Sequence, residues 1–296
     1  MALLKLAACD RLIGWFPLAV LPLGALGFYH FLSPWAFMWI LAISIYLGLK
    51  WLSWWKAQSR IPHTVWRSIA YLLAWPGMDA DSFLNAGKSV PRPRFSDWAR
   101  AVFTASLGVI LLWVVARALP QEQPLLRGWV GMLGLILLLH FGTFHLVALF
   151  WQRLGVDAMP IMSNPLRSAS LSEFWGKRWN LGFRQLSYDL IFGPLHKSMG
   201  VAAAGFLVFV ISGLLHDLVI SVPARAGYVL PTAYFVFQGA GVALERSSLG
   251  KQLHLRRGVR GWLFMAVCTL GPAFWLFHPP FVLRVIIPFM KAIHAL

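Results

Sequence analysis

The sequence predicts an all-α integral membrane protein with about seven or eight transmembrane helices and several shorter re-entrant or interfacial helices. Of the 296 residues, 59% are hydrophobic and 12% are charged, and the mean hydropathy is +0.68. A soluble domain of this length would carry roughly twice that charge. Several stretches exceed ~18 apolar residues, the length that a helix needs to cross a bilayer. We interpret residues 1–296 as a single polytopic domain.

The expected transmembrane helices lie near 12–32, 34–54, 101–119, 128–150, 199–220, 226–244 and 260–278, with a short eighth segment at 281–294. A further apolar piece, residues 71–78, is too short to cross the bilayer and runs into Pro76-Gly77. Because that dipeptide favours a turn, we expect this piece to be interfacial or re-entrant.

The charge distribution predicts the orientation in the membrane. The formal net charge is +16, which in a soluble protein would suggest nucleic-acid binding. Here the cations lie between the apolar stretches, and 21 of the 26 Lys and Arg residues fall in alternate loops. By the positive-inside rule we expect the loops at 55–100, 151–198 and 245–259 to be cytoplasmic. Anionic lipid headgroups and a phosphorylated cosubstrate are the expected partners, and nucleic acid is not. Cys9 and Cys268 show no metal or disulfide spacing.

The run Phe174-Trp175-Gly176-Lys177-Arg178-Trp179-Asn180 combines three aromatic rings, two cations and an amide. On a continuous helix through Arg184, the aromatic side chains would share one side and the polar ones another. An interfacial helix that anchors to anionic headgroups would carry the same composition. Asn180 is the residue that this alternative explains least well.

Ser212-Gly213-Leu214-Leu215-His216-Asp217 ends an otherwise apolar stretch. Ionisable groups inside a membrane are costly, so they are functional candidates. A neutral imidazole can act as a general base toward a hydroxyl. The alternative is a histidine that is hydrogen-bonded for packing. Asp217 either orients an imidazole or caps a helix, and we expect His140 and His145 to be packing or pocket-lining groups.

These two pieces, together with Asn164-Pro165-Leu166-Arg167, residues 168–173 and residues 71–79, resemble the wax synthase branch of the membrane-bound O-acyltransferase (MBOAT) superfamily. The resemblance covers about 70–245. It implies a multi-helix enzyme that moves an acyl group from acyl-CoA to the hydroxyl of a lipophilic alcohol. Asp217 stands where wax synthases often have Glu, and the chain is short for the superfamily.

The resemblance also implies the site residues. The superfamily's histidine and asparagine map onto His216 and Asn180 as catalytic residues. Donor binding maps onto the aromatic-basic run, with Trp175 and Trp179 beside the acyl-CoA and Lys177, Arg178 and Arg184 on its phosphates. No metal and no permanently bound cofactor are implied; acyl-CoA is a cosubstrate. We expect a multi-pass protein of the bacterial inner membrane.

Three alternatives stay open at this point. The acceptor could be a sterol, a glycan or a hydroxylated secondary metabolite, or the protein could be a lipid transporter or a non-catalytic scaffold. An acyltransferase requires Asn180 and His216 to line a common cavity. We therefore expect residues 165–198 to fold inward as short helices around an apolar tunnel. Its polar groups should lie only near Asn180 and His216, and Lys177, Arg178 or Arg184 should ring its mouth.

Overall fold

The computed structural model describes residues 2–296, with side chains from Leu12 onward, and this part of the chain contains helices and no strands. The helices are α1 (Ala2–Leu26), α2 (Pro34–Gln58), α3 (Val65–Ala74), α4 (Ala80–Leu84), α5 (Phe95–Ala118), α6 (Pro124–Arg153), α7 (171–178), α8 (181–199), α9 (201–224), α10 (Leu230–Arg246), α11 (Ser248–Gln252), α12 (Gly258–Leu276) and α13 (279–292). A single 3-10 turn, Pro165–Arg167, precedes α7.

Five helical stretches in the described residues are long and apolar enough to cross a membrane: α2, α5, α6, the continuous stretch Leu181–Ala224 that contains α8 and α9, and α12. The protein is therefore an all-α, multi-pass integral membrane protein. Of the other expected transmembrane helices, the one at 12–32 falls on α1, of which the part with described side chains is the shorter apolar helix Leu12–Leu26. The other two correspond to shorter elements. α10, at the position expected for residues 226–244, has 17 residues, and residues 281–294 fall mainly in α13.

The stretch Leu181–Ala224 is not one straight helix. Gly200 adopts φ 83° and ψ 161° and separates α8 from α9. A residue with a Cβ is strained at this φ, so glycine permits the break. π-type turns occur at six places in the described residues, among them 174–178 in α7 and 217–221 in α9. The turn at 174–178 ends two residues before Asn180, and the turn at 217–221 begins directly after His216.

α9 and α10 pack antiparallel and close together. A Cβ on Gly213 would lie 2.7 Å from the Cα of Thr232, and one on Gly239 would lie 2.9 Å from the ring of Phe206. Small residues at such crossings let helix backbones approach within a membrane. α7 packs against α10 and α12 through an apolar cluster of Leu171, Phe174, Met265, Cys268 and their neighbours. The four helices α7 to α10 thereby surround one space.

Candidate active site

A cavity of about 1010 Å³ lies between α7, α8, α9 and α10. Pockets for small ligands generally measure roughly 300–1,000 Å³, so this one is large. Aromatic and aliphatic side chains supply most of its wall, among them Trp175, Trp179, Phe183, Phe192, Val201, Phe206, Val208, Phe209, Phe235 and Val242. Both Asn180 and His216 line it. Residues 165–198 form the 3-10 turn, α7 and most of α8, and both of these helices contribute to the cavity wall.

His216 is half-buried at the wall of the cavity, near the end of α9's regular turns. Its Nδ1 lies 2.7 Å from the carbonyl oxygen of Ser212. A carbonyl only accepts hydrogen bonds, so Nδ1 carries the proton and donates it there. Nε2 is left with a lone pair, the form that a general base requires. The imidazole also rests on Phe235, with ring centroids 4.4 Å apart, and this contact fixes its orientation.

Asp217 caps α10 and makes no direct hydrogen bond to an imidazole in the described part of the chain. Its carboxylate accepts hydrogen bonds from the Val229 amide at 2.8 Å, from the Thr232 amide at 3.0 Å and from the Ser221 hydroxyl at 2.9 Å. The Thr232 hydroxyl donates to it as well. Anionic oxygens are favourable at a helix N-terminus because several backbone N–H groups there lack helical partners. Asp217 thus attaches the start of α10 beside His216.

Asn180 separates α7 from α8, so the continuous helix expected through Arg184 is interrupted here. The residue adopts φ 44° and ψ 59°, a left-handed conformation that asparagine tolerates better than most residues. Its Oδ1 accepts a hydrogen bond from the Phe183 amide at 3.4 Å, which caps α8. With Oδ1 bonded to the backbone, the NH₂ group is the hydrogen-bond donor that this side chain has for a ligand.

Trp175 and Trp179 form part of the cavity wall. The Trp175 indole N–H donates to Oε1 of Gln238 at 3.3 Å, and its ring contacts Phe209 and Phe235. Trp179 stacks on Phe174 with centroids 5.3 Å apart. Both indoles are therefore held in place by neighbours on other turns or helices.

The cations of the aromatic-basic run occupy two different environments. Lys177 and Arg184 line the cavity, whereas Arg178 is not among the lining residues. Arg178 pairs with the Glu173 carboxylate at 2.6 Å and donates to the Ser163 carbonyl at 3.3 Å. The Ala169 amide and then Arg178 hold the pKa of Glu173 below its ordinary value. This pair connects the start of α7 to its end and to the loop before it.

Two further cations line the cavity, Arg246 and Arg256. Arg246 donates to the Ser172 hydroxyl at 3.4 Å, and Arg256 lies 3.7 Å from the Glu245 carboxylate. With Ser170, Ser172 and Ser247 they make one end of the cavity basic and hydroxyl-rich. The sequence-based expectation of polar groups only near Asn180 and His216 is therefore wrong, because the loop after α10 folds back over the cavity.

Sequence reasoning also missed Gln238 and Glu245, both fully buried on α10. Gln238 bridges Trp175 and the Cys268 carbonyl, to which it donates at 2.7 Å. Glu245 accepts hydrogen bonds from the Leu171 and Ser172 amides at 2.6 and 3.1 Å and so caps α7. Both residues interrupt an apolar stretch, and the rule that flagged His216 could have flagged them.

His140 and His145 lie on α6 and do not line the cavity. His140 is half-buried, its ring contacts Phe144 and its Nδ1 has no hydrogen-bond partner. We expected His140 and His145 to be packing or pocket-lining groups, and the position of His140 on α6 fits packing.

Comparison with known proteins agrees with this geometry. Residues 158–237 match the model of the membrane bound O-acyl transferase family, and this segment contains both Asn180 and His216. The chain is 30% identical over 141 residues to a long-chain-alcohol O-fatty-acyltransferase of Simmondsia chinensis, an alignment that covers 44% of this chain and 40% of that protein.

Two Arabidopsis thaliana proteins show the same pattern. Probable long-chain-alcohol O-fatty-acyltransferase 2 is 31% identical over 144 residues, which is 45% of this chain and 41% of that protein. Probable long-chain-alcohol O-fatty-acyltransferase 7 is 28% identical over 145 residues, or 44% and 42%. The alignments with these relatives thus cover less than half of their length. Residues 158–237 thus resemble the membrane-bound O-acyltransferase family, and the aligned part of the chain is similar to its wax synthase branch.

Proposed function

We propose that this protein transfers a fatty acyl group from acyl-CoA to the hydroxyl of a lipophilic alcohol. The observation that carries the proposal is the placement of His216 and Asn180 on one largely apolar cavity, inside the segment that matches the family. The matched relatives are named for acyl transfer to long-chain alcohols. A lipophilic acceptor suits the apolar wall.

His216 acts as the general base in this mechanism. Its Nε2 takes the proton of the alcohol as the oxygen attacks the thioester carbonyl carbon. The Nδ1–H bond to the Ser212 carbonyl stabilises the imidazolium that forms. The carbon–sulfur bond of the resulting tetrahedral intermediate then breaks, and the imidazolium returns its proton to the CoA thiolate. Acyl transfer of this kind needs no covalent acyl-enzyme.

Asn180 donates from its NH₂ group to the thioester carbonyl oxygen, where negative charge develops in the tetrahedral intermediate. A donor that is already fixed in place stabilises this charge without a reorganisation cost. The cap on the Phe183 amide supplies that fixation. Trp175 and Trp179 pack against the donor.

The basic end of the cavity takes the phosphates of CoA. Arg246 lies eleven residues beyond Phe235, the residue that contacts His216, and at 1.5 Å per residue the two lie about 16 Å apart along α10. The pantetheine arm of CoA connects the phosphates to the thioester over this distance. Arg246 and Arg256 join Lys177 and Arg184 as phosphate ligands, and guanidinium groups suit this task by forming paired hydrogen bonds. Arg178 supports the site through Glu173.

The distribution of cations favours one orientation of the protein in the membrane. The loops at 55–100, 151–198 and 245–259 carry the excess of Lys and Arg, so they face the cytosol, where acyl-CoA is present, and contact anionic lipid headgroups. Residues 1–296 form a single polytopic unit in a bacterial inner membrane.

The experiment that tests this function uses purified protein in lipid nanodiscs with radiolabelled palmitoyl-CoA and a panel of acceptors. The panel contains a long-chain alcohol, a short-chain alcohol, a sterol and a glycan. We expect label in the ester of the long-chain alcohol, with one free CoA thiol released per ester. Absence of any ester would refute acyl transfer. Ester with the sterol or the glycan alone would refute the acceptor class.

A further inference from the structure

Lys50 is a buried ionisable residue that the proposed mechanism does not use. It lies on α2, a helix long and apolar enough to cross the membrane, and is 1% exposed. Its Nζ donates to the Gly77 carbonyl and lies 3.3 Å from the centre of the Tyr71 ring. No carboxylate pairs with it among the ion pairs of the described residues. A lysine in such a place is costly and therefore a functional candidate.

The partner of Lys50 is the non-helical segment 75–79, between α3 and α4. Tyr46, one turn before Lys50 on α2, donates to the Trp75 carbonyl at 3.2 Å. Backbone carbonyls outside a helix need such donors when water is excluded. A Cβ on Gly77 would lie 2.5 Å from the Trp75 indole, so the ring folds tightly over this glycine. Two donors from α2 thus hold the segment in one conformation.

The other side of segment 75–79 supports the start of α8. A Cβ on Gly182 would lie 3.1 Å from the Met78 backbone nitrogen, so the two backbones nearly touch. Met78 is buried in a cluster that also contains Phe183 and Leu186. Gly182 follows Asn180 by two residues, and the Phe183 amide is the group that the Asn180 side chain caps. The position of Asn180 therefore depends on where segment 75–79 lies.

We infer that Lys50 is a positioning residue that fixes segment 75–79 and, through its contact with Gly182, the amide of Asn180. This inference rests on the proposed function, because the consequence of the positioning is the rate of acyl transfer. Lys50 touches neither the cavity nor the substrates. It acts on the transition state through Asn180 and leaves the phosphate-binding end unchanged.

The test compares Lys50→Met with Lys56→Met, the same substitution at an exposed lysine of the same helix. Small displacements of a catalytic group cost up to ~10²-fold in rate, so we expect Lys50→Met to lower kcat by about 10- to 100-fold. The KM for palmitoyl-CoA should stay within a factor of about two, since donor binding is untouched. Lys56→Met should match the wild type in both constants.

Hydrogen–deuterium exchange supplies a readout that does not depend on activity. In Lys50→Met, peptides covering 75–79 and 180–186 should exchange faster, while those covering α9 and α10 keep the wild-type rate. Wild-type kcat, or faster exchange throughout α9 and α10, would overturn the positioning role. If Lys50→Met does not fold, Tyr46→Phe removes only the bond to Trp75 and should show the same pattern at smaller size. Wild-type behaviour of a folded Tyr46→Phe would then overturn the inference. A wild-type protein that transfers no acyl group refutes the proposed function instead, whatever the exchange data show.

Discussion

Replacement of His216 by alanine tests the base most directly. A positioned general base contributes typically 10²–10⁴-fold, or about 3–5 kcal/mol of barrier at 1.36 kcal/mol per tenfold. The imidazole makes one hydrogen bond, to Ser212, worth about 1 kcal/mol of folding free energy. The space that it vacates joins an existing cavity. We therefore expect kcat to fall by at least ~100-fold while the unfolding temperature changes little.

His196 provides a matched control for this substitution. Its Nδ1 faces the carbonyls of Phe192 and Gly193, at 3.2 and 2.7 Å, in the pattern seen at His216, but it does not line the cavity. The assay is ester formation from labelled palmitoyl-CoA, with His216→Ala, His196→Ala and the wild type at equal concentrations of folded protein. Near-normal turnover by His216→Ala, or an equal loss in His196→Ala, would refute the assignment of His216 as the base.

Three further predictions follow from charge, pH and packing. Arg256→Ala should raise the KM for acyl-CoA about tenfold at low salt and less at high salt, because salt screens phosphate contacts. Arg257 is the next residue but does not line the cavity, so Arg257→Ala should leave the KM unchanged. Equal KM values for the two variants would remove Arg256 from the donor site. The pKa of Glu173 is lowered from 4.5, so its carboxylate stabilises the fold above pH 4.5, and this stabilisation is lost as the pH falls through the pKa of the folded state. The unfolding temperatures of the wild type and Glu173→Gln should therefore differ at neutral pH and converge in acid. A difference that does not change with pH would contradict the stabilising role of the Glu173 carboxylate. Gly213→Ala should lower the unfolding temperature, because its Cβ would lie 2.7 Å from a backbone atom of α10, at a cost of about 1–3 kcal/mol; Gly205→Ala on the same helix meets open space and should not lower it.

The sequence was sufficient for the class of protein, and it supplied candidate residues for the site. An apolar stretch long enough to cross a bilayer forms a helix, because a helix bonds every backbone group within its own segment. His216 became a candidate because an ionisable residue at the end of such a stretch is costly, whereas Asn180 became one through the aromatic-basic run and the resemblance to the MBOAT superfamily. Both signals are local, and local signals are readable without a fold.

The break at Asn180 was not readable in the same way. Residues 174–184 carry a helical spacing of aromatic and basic groups, which predicts a continuous helix, whereas Asn180 adopts a left-handed conformation in the structure. The contact of Gly182 with Met78, about a hundred residues earlier, supports the start of α8 after this break. Contacts between residues so far apart are not visible in a local sequence pattern.

The fold also decided which cations form ion pairs and which line the cavity. Arg178 and Arg184 look equivalent along the chain, yet Arg178 meets Glu173 and Arg184 faces the cavity. Arg246 and Arg256 reach the cavity only because α10 runs antiparallel to α9 and its following loop folds back over the opening. The sequence by itself determined the all-α membrane class, and it predicted a candidate base and a cluster of cations for the site. Which side chains meet across the cavity was decided by helix packing, since contacts between residues far apart in the chain depend on the geometry of all the helices between them.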